Sequence, residues 1–259
     1  MSESTLMFSM AFNGYDVLYN KCVRSQRAYA RQRGYTYCLV NRPRWTSLTR
    51  ECAWLKIALM ITGLERGYDW VFFIDTDAEV KPHTPPIQSL AEPGKSVYLV
   101  PGWSGRVNSG VLIARNTADA AALFRRILEN ADRPVPEEDA ISWGENGHVI
   151  HYAKHQPCVK ICDRAWNNNA QPEMPDYIRH YSNGPMRDTY TQAWVWRRLF
   201  AVEKTLARGQ GRVVRKVNRR LGRERPFLES LRALHDRCVR HCPAFRAPGP
   251  GRQTLERPA

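Results

Sequence analysis

The chain has 259 residues, 43% of them apolar and 25% charged, with a formal charge of +14 and a pI near 9.8. That suffices for one large globular domain, or a domain with an appendage. No stretch approaches the ~18 apolar residues of a membrane span, and Met1-Ser2-Glu3-Ser4 lacks the basic start of a signal peptide, so a cytoplasmic protein is expected.

Seven scattered cysteines suit reduced thiols better than a disulfide framework. Cys158 with Cys162, and Cys238 with Cys242, repeat a four-residue spacing, whereas zinc sites favour tighter Cys-x-x-Cys pairs. The charge is uneven: residues 201–259 hold 15 Lys and Arg against 5 Asp and Glu. Basicity therefore describes a docking surface more than the core.

Leu6 to Phe12 reads as a first strand. Residues 15–33 follow as one amphipathic helix stopped by Gly34, and Tyr35 to Val40 as a second strand. A strand–helix–strand series of this length predicts a βαβ unit and a parallel sheet. After a polar loop broken by Pro43, Ala53 to Leu64 is a helix ended by Gly67. Trp70-Val71-Phe72-Phe73-Ile74 is an apolar run of buried-strand length that leads into Asp75-Thr76-Asp77-Ala78. Pro82, Pro85 and Pro86 enforce an irregular loop.

Val97 to Val100 is a short strand, and Asn108-Ser109-Gly110 is a polar corner entering another. A helix is expected over 118–130, a second opening at Glu137-Glu138-Asp139, and a strand within Val149 to Val159. Trp166 to Asn169 reads as loop, and His180 to Pro185 as a polar turn after Tyr177-Ile178-Arg179. A basic helical pattern resumes at Thr191, with Gly209 and Gly211 interrupting it, and the Pro/Gly/Arg-rich end from Pro243 is expected to be disordered. The expected organisation is a domain over residues 1–200 and a basic helical tail over 201–259.

The strand ending in two acids is the most informative feature. The C-terminal edge of an open α/β sheet is where ligands bind. Residues i and i+2 of a strand share a face, so Asp75 and Asp77 can reach one hard cation, Mg²⁺ or Mn²⁺, bridged to a substrate phosphate. A solvated Asp-rich turn after a core strand would show the same residues.

Taken together, the Trp54-Leu55-Lys56 helix, the Trp70–Ala78 segment, Asn108-Ser109-Gly110-Val111, Glu137-Glu138-Asp139, and His180 with Gly184-Pro185 resemble the GT-A glycosyltransferases with a DxD motif. The segment is most similar to the retaining galactosyltransferase, xylosyltransferase and mannan-building group. The likeness covers roughly residues 5–190. It departs at Glu138, where the group often has an amide, and in the His180-to-Gly184 spacing, which is one residue too long.

The resemblance implies a mixed, mainly parallel Rossmann-like sheet and transfer of a hexose or pentose from a nucleotide-diphosphate sugar, UDP more than GDP, to a glycan or lipid-linked acceptor. Asp75, Asp77 and His180 would hold Mn²⁺ or Mg²⁺. Ser9, Ala11, Phe12, Lys56, Asp75, Thr76, Asn108, Ser109, Gly110, Gly184 and Arg187 would meet the donor. Lys and Arg suit phosphate, and an Asn amide suits sugar hydroxyls. Asp77 and one of Glu137, Glu138 and Asp139 would serve the chemistry, although acids there equally suit a first helical turn.

The basic helical part of residues 205–240 would suit an anionic membrane surface. The competing classes are a nucleotidyltransferase, which would usually show a Gly-rich phosphate loop where only Gly14 stands, and a nucleic-acid-binding protein. The concentration of charge in the tail argues against the latter.

Overall fold

Strand β1 (Thr5–Met10) is followed by a single turn of helix, α1 (Tyr15–Leu18), and a longer helix, α2 (Asn20–Arg33), before β2 (Thr36–Val40). The single helix expected here is broken at Tyr19, whose backbone leaves helical angles. Gly34 ends α2 in the left-handed conformation, at φ 70°. Next come α3 (Thr49–Glu65), β3 (Trp70–Ile74), β4 (Ala78–Val80), β5 (Val97–Pro101), β6 (Val107–Arg115), α4 (Ala118–Glu129), α5 (Asn146–Ala153), β7 (Val159–Ile161) and β8 (Ile178–His180). The chain finishes with α6 (Trp194–Arg220), α7 (Phe227–His241) and α8 (Pro243–Arg246). This computed structural model describes residues 3–141, 144–182, 184–222 and 225–246.

Six strands form the central sheet in the order β2-β1-β3-β6-β5-β7, all parallel except β6. A two-stranded sheet pairs β4 antiparallel to β8. β3 lies at the centre with all five residues buried. Its alternation divides the core: Val71 and Phe73 face α3, α4 and α7, while Trp70, Phe72 and Ile74 face α2. Gly63 lets α3 close onto β3, since a Cβ there would stand 3.0 Å from both Val71 methyls.

Three expectations fail for physical reasons. Glu137 to Asp139 form a turn, and α5 starts only at Asn146. The apolar Val149, Ile150 and Ala153 expected in a strand fall on one buried side of α5, so the run follows helical spacing. Gly209 and Gly211 do not interrupt α6. A helical glycine costs about 1 kcal/mol rather than breaking the helix, and Gly211 is buried against Ser47.

The expected tail is not uniform. Leu231, Leu234 and Cys238 of α7, with Cys242 and Phe245, belong to the same apolar core as β1 and α3. Burial of each leucine contributes about 1.5–3 kcal/mol. Cys242 is disulfide-linked to Cys38 of β2, where reduced thiols were expected. The other five cysteines are free, Cys158 and Cys162 among them. The expected disorder after Pro243 falls partly on α8, and the remainder lies outside the described residues.

Candidate active site

Asp75 and Asp77 follow the last residue of β3 in a turn, not within the strand. Their convergence therefore comes from how the turn is held. The Asp75 amide donates to the Gly110 carbonyl at 2.8 Å, extending the β3–β6 ladder by one residue. Buried Gln26 of α2 donates through Nε2 to the carbonyls of Asp75 (2.9 Å) and Ala78 (2.8 Å), clamping the turn from below. Thr76 turns inward, donates to the Met10 carbonyl, and lies 3.2 Å from the Ser9 hydroxyl. Beyond the turn, Ala78 pairs with His180 across β4 and β8, and the Tyr181 amide donates to the Asp77 carbonyl at 2.9 Å. The small second sheet thus carries His180 to the two aspartates from 103 residues away.

One potential ligand atom each from Asp75, Asp77 and His180 lies within 4.8 Å of the others. His180 is 1% exposed. Its orientation follows from a chain of bonds that begins at a backbone amide. The Gly110 N–H can only donate, and it does so to Asn108 Oδ1 at 3.0 Å. That oxygen also accepts from Asn167 Nδ2 at 3.0 Å. Asn167 therefore presents Oδ1 to His180 Nδ1 at 2.8 Å, and Nδ1 must carry the proton. Nε2 is left facing Asp77 Oδ1 at 3.2 Å and Asp75 Oδ2 at 3.7 Å. A partner on the far nitrogen is how proteins orient a metal-binding imidazole.

Electrostatics separate the two carboxyls. Burial raises Asp75, and Asp77 and Glu145 add to the rise against the opposing Lys56. Burial also pushes Asp77 up, but His180 and Arg187 outweigh it and hold its carboxyl below the usual range. Burial alone would depress His180, yet its contacts with Asp77 and Asp75 raise it. Two carboxylates and an imidazole whose Nε2 would exchange its proton for a metal suit a hard or borderline divalent cation such as Mg²⁺ or Mn²⁺, so the donor set fits.

Lys56 lies beneath the cluster, 7% exposed, with Nζ 3.0 Å from Glu145 Oε1 and 3.5 Å from Asp75 Oδ1. Burial would lower its pKa, but the two acids push it up to about 12, so it stays charged. It is a counter-ion inside the site rather than a solvated cation. Glu145 lies six residues after Asp139 in the chain, outside the acidic group expected at the site. Its Oε1 also accepts from the Ser109 hydroxyl at 2.5 Å, while Asn146 Oδ1 accepts from the Ser109 amide at 2.8 Å. Asn167, expected in a loop, ends a short 3-10 turn over Arg164–Asn167. Neither residue belongs to a motif; the one available signal was the polar Glu145-Asn146 pair just before an apolar helix.

Gly110 shows why the polar corner needs its glycine. A Cβ there would collide with the His180 ring and stand 2.8 Å from both Asn108 Oδ1 and Asp75 Oδ2. Asn108 Oδ1 accepts from the Gly110 amide and Asn167 Nδ2, so this side chain also helps to orient the cluster.

Arg187 stands 3.9 Å from Asp77 Oδ2 and donates to the Tyr19 hydroxyl. Gly184, at φ 129°, packs under Trp103, and Asn183 lies outside the described residues. Ser9, Ala11 and Phe12 are buried at the end of β1. Glu137 and Glu138 are on the outer surface of their turn; Asp139 is buried, with its carboxylate bound to His151 Nδ1 and Lys154 Nζ, both at 2.7 Å. The structure does not join these three acids to the Asp75 cluster; the further acid that meets it is Glu145, through Lys56.

No protein-family profile and no curated protein matches the chain. Among solved structures, a glycosyltransferase involved in glycosylation of the major capsid of PBCV-1 aligns over 71% of this chain and 97% of its own, with a TM-score of 0.56 and 16% identity. Weaker likenesses are found to the glycosyltransferase GlyE of Streptococcus pneumoniae TIGR4 (TM-score 0.48, 12% identity, 81% of this chain and 64% of that one). The galactosyltransferase LgtC, solved with donor and acceptor sugar analogues, is similar at TM-score 0.48 and 12% identity, over 78% of this chain and 95% of that one. The fold is that of the GT-A glycosyltransferases.

Proposed function

We propose that this chain is a metal-dependent glycosyltransferase that moves a hexose or pentose from a nucleotide-diphosphate sugar, UDP in preference to GDP, to a glycan or lipid-linked acceptor with retention. The observation that carries the reading is the convergence of Asp75, Asp77 and His180 at the sheet edge, with the imidazole oriented by Asn167. Asp75, Asp77 and His180 would hold Mn²⁺ or Mg²⁺, which when bound supplies Lewis-acid stabilisation of the charge that grows on the departing diphosphate.

The chain's own groups divide the remaining tasks. Arg187, beside Asp77, offers a forked cation to phosphate oxygens. Lys56 and Glu145 hold Asp75 and Ser109 in place. Thr76, Ser109, Gly110 and Gly184 border the donor pocket, and Ala11 and Phe12 underlie the nucleoside. As the sugar's C1–O bond to phosphate breaks, the electron pair stays on the phosphate oxygen; the acceptor hydroxyl forms the new C1–O bond and yields its proton to that diphosphate. Front-face retention is favoured because Glu145, the further acid that meets the cluster, is already held by Lys56 and Ser109. Screening UDP- and GDP-sugars for hydrolysis with Mn²⁺ or Mg²⁺ tests the reading. Turnover that is lost in Asp77→Ala supports it; no donor turned over, or turnover unchanged in the variant, overturns it.

Membrane docking is proposed for α6 alone, narrowing the expected 205–240. Val195, Leu199, Val202, Leu206, Val213 and Val217 are exposed along one stripe of a basic helix, whereas Leu231, Leu234 and Cys238 of α7 face the core. Among the described residues, no helix is long and apolar enough to cross a membrane.

A further inference from the structure

Two open clefts run along the side of α6 opposite its apolar stripe. The larger, about 820 Å³, lies between the loop 43–48, the first turn of α3, α6 and α7. Arg215, Arg225, Arg237 and Arg240 line it, with the half-buried ring of Trp45 and a single acid, Glu51. The smaller, about 400 Å³, is lined by Lys204, Arg208, Arg212 and again Arg215. Thr46, Ser47, Thr49 and Gly211 border both, so the two form one groove.

The far end of the smaller cleft is Tyr15. Its ring lies 5.9 Å from that of Tyr19, whose hydroxyl accepts from the Arg187 guanidinium that stands beside Asp77. The groove thus runs from Tyr15, which Tyr19 and Arg187 connect to the edge of the metal cluster, towards α7.

The cations of this groove are not spent on the fold. Arg50, which also lines it, is paired with Asp132. Among the described residues, none of Lys204, Arg208, Arg212, Arg215, Arg225, Arg237 and Arg240 has an ion pair, although Lys204 lies over the Phe200 ring. Lining a concave surface with uncompensated like charge is unfavourable unless an anion fills it. Arginine forks suit phosphate, and the flat Trp45 face suits a sugar ring beside it. The apolar stripe, through Val202, Leu206 and Val213, is about 200° around the helix from Lys204, Arg208 and Arg215 at ~100° per residue, so the groove stays open when that stripe is covered.

We infer that this groove binds the acceptor, and that the acceptor is an anionic glycan bearing phosphate groups along its length. The inference rests on the transferase reading and names its substrate class. Binding needs neither donor nor metal, so its test is independent of donor turnover.

Fluorescence anisotropy of full-length protein against labelled maltohexaose and its polyphosphorylated derivative measures this directly, without nucleotide or metal. The phosphorylated hexasaccharide is expected to bind at least about tenfold more tightly than the neutral one, a gap that narrows with added salt. Replacing Arg215, Arg237 and Arg240 together by Ser is expected to remove that advantage. An equal loss of charge at Arg24, Arg27 and Arg31 on α2 should retain it. These residues are all exposed, so none of the changes opens the core. Equal weakening in the two triple variants would mean only bulk charge, and would overturn the proposal. So would a groove variant that keeps phosphorylated-glycan binding but loses phosphatidylglycerol vesicles or a single-stranded DNA dodecamer, which would reassign the groove to membrane or nucleic acid.

Discussion

At the scale of single residues, the cluster depends on atoms that never touch a ligand. Gly110 is the tightest case: Gly110→Ala forces His180, Asn108 or Asp75 to move. Displacement of about 1 Å in such a site costs roughly 100-fold. Donor turnover is expected to fall by that order, while Gly209→Ala, facing open space, should be silent in the same assay. Asn167 tests the orienting chain. Asn167→Ala frees the imidazole to rotate, and Mn²⁺ affinity read by electron paramagnetic resonance should fall by about 10–100-fold. An unchanged affinity would remove Asn167 from the site.

Much at this scale was legible in the sequence and some was not. Asp75 and Asp77 stood out because a buried apolar run delivers them, and Asn108-Ser109-Gly110 because a polar corner enters a strand. Glu145 and Asn167 were hidden because tertiary packing, not sequence neighbourhood, carries them to the cluster. The Glu137-Glu138-Asp139 group drew attention by density alone, and density does not say which way a turn faces.

At the scale of elements, the unbroken apolar run of β3 and the apolar length of α3 were readable because each is uniform. The fate of residues 149–159 was not, since a short apolar run fits a strand or a helix equally. The docking of α6 includes an ionic knot: Glu203 bonds Arg44 at 2.7 Å and the Trp45 indole at 2.6 Å, while Arg44 also pairs with Asp16 at 2.6 Å. The Arg44 hydrogen bond, joined by the Trp45 indole and the Arg44 charge, holds Glu203 below its ordinary value of 4.5 against the opposing effect of burial. A lowered folded-state value stabilises above the unfolded pKa, and that contribution is lost as pH falls through the folded one. The protection factors of α6 amides, which correct for the slower intrinsic exchange in acid, should therefore fall in wild type as pH drops below about 4.5. Glu203→Gln should show faster exchange already at neutral pH, by about 1 kcal/mol for a partly exposed charge-assisted bond, and lack the acid step. Exchange that is the same in both at every pH would disprove the anchoring.

At the scale of the whole molecule, net charge pointed to a docking tail, but the fold divides that tail. Its distal helix closes the core against α3, so deleting everything after residue 205 would expose core residues rather than isolate a docking device. The apolar stripe of α6 is the separable part. Leu206→Asp with Val213→Asp should lower flotation with phosphatidylglycerol vesicles several-fold at unchanged thermal stability. Flotation equal to wild type would leave the stripe without a membrane role. The sequence could not show this division, because Leu231 and Leu234 share a basic helical pattern with Val213 and Val217, and only packing tells them apart.

The central claim, that Asp75, Asp77 and His180 form one metal site on which a nucleotide diphosphate assembles, is tested most directly by calorimetric titration of UDP with and without Mn²⁺. Wild type should bind UDP at least about tenfold more tightly with the ion present, in line with a Lewis-acid bridge to phosphate. Asp77→Ala and His180→Ala should lose that linkage while remaining folded. UDP binding that ignores Mn²⁺ in wild type, or that keeps the same dependence in both variants, would contradict the account.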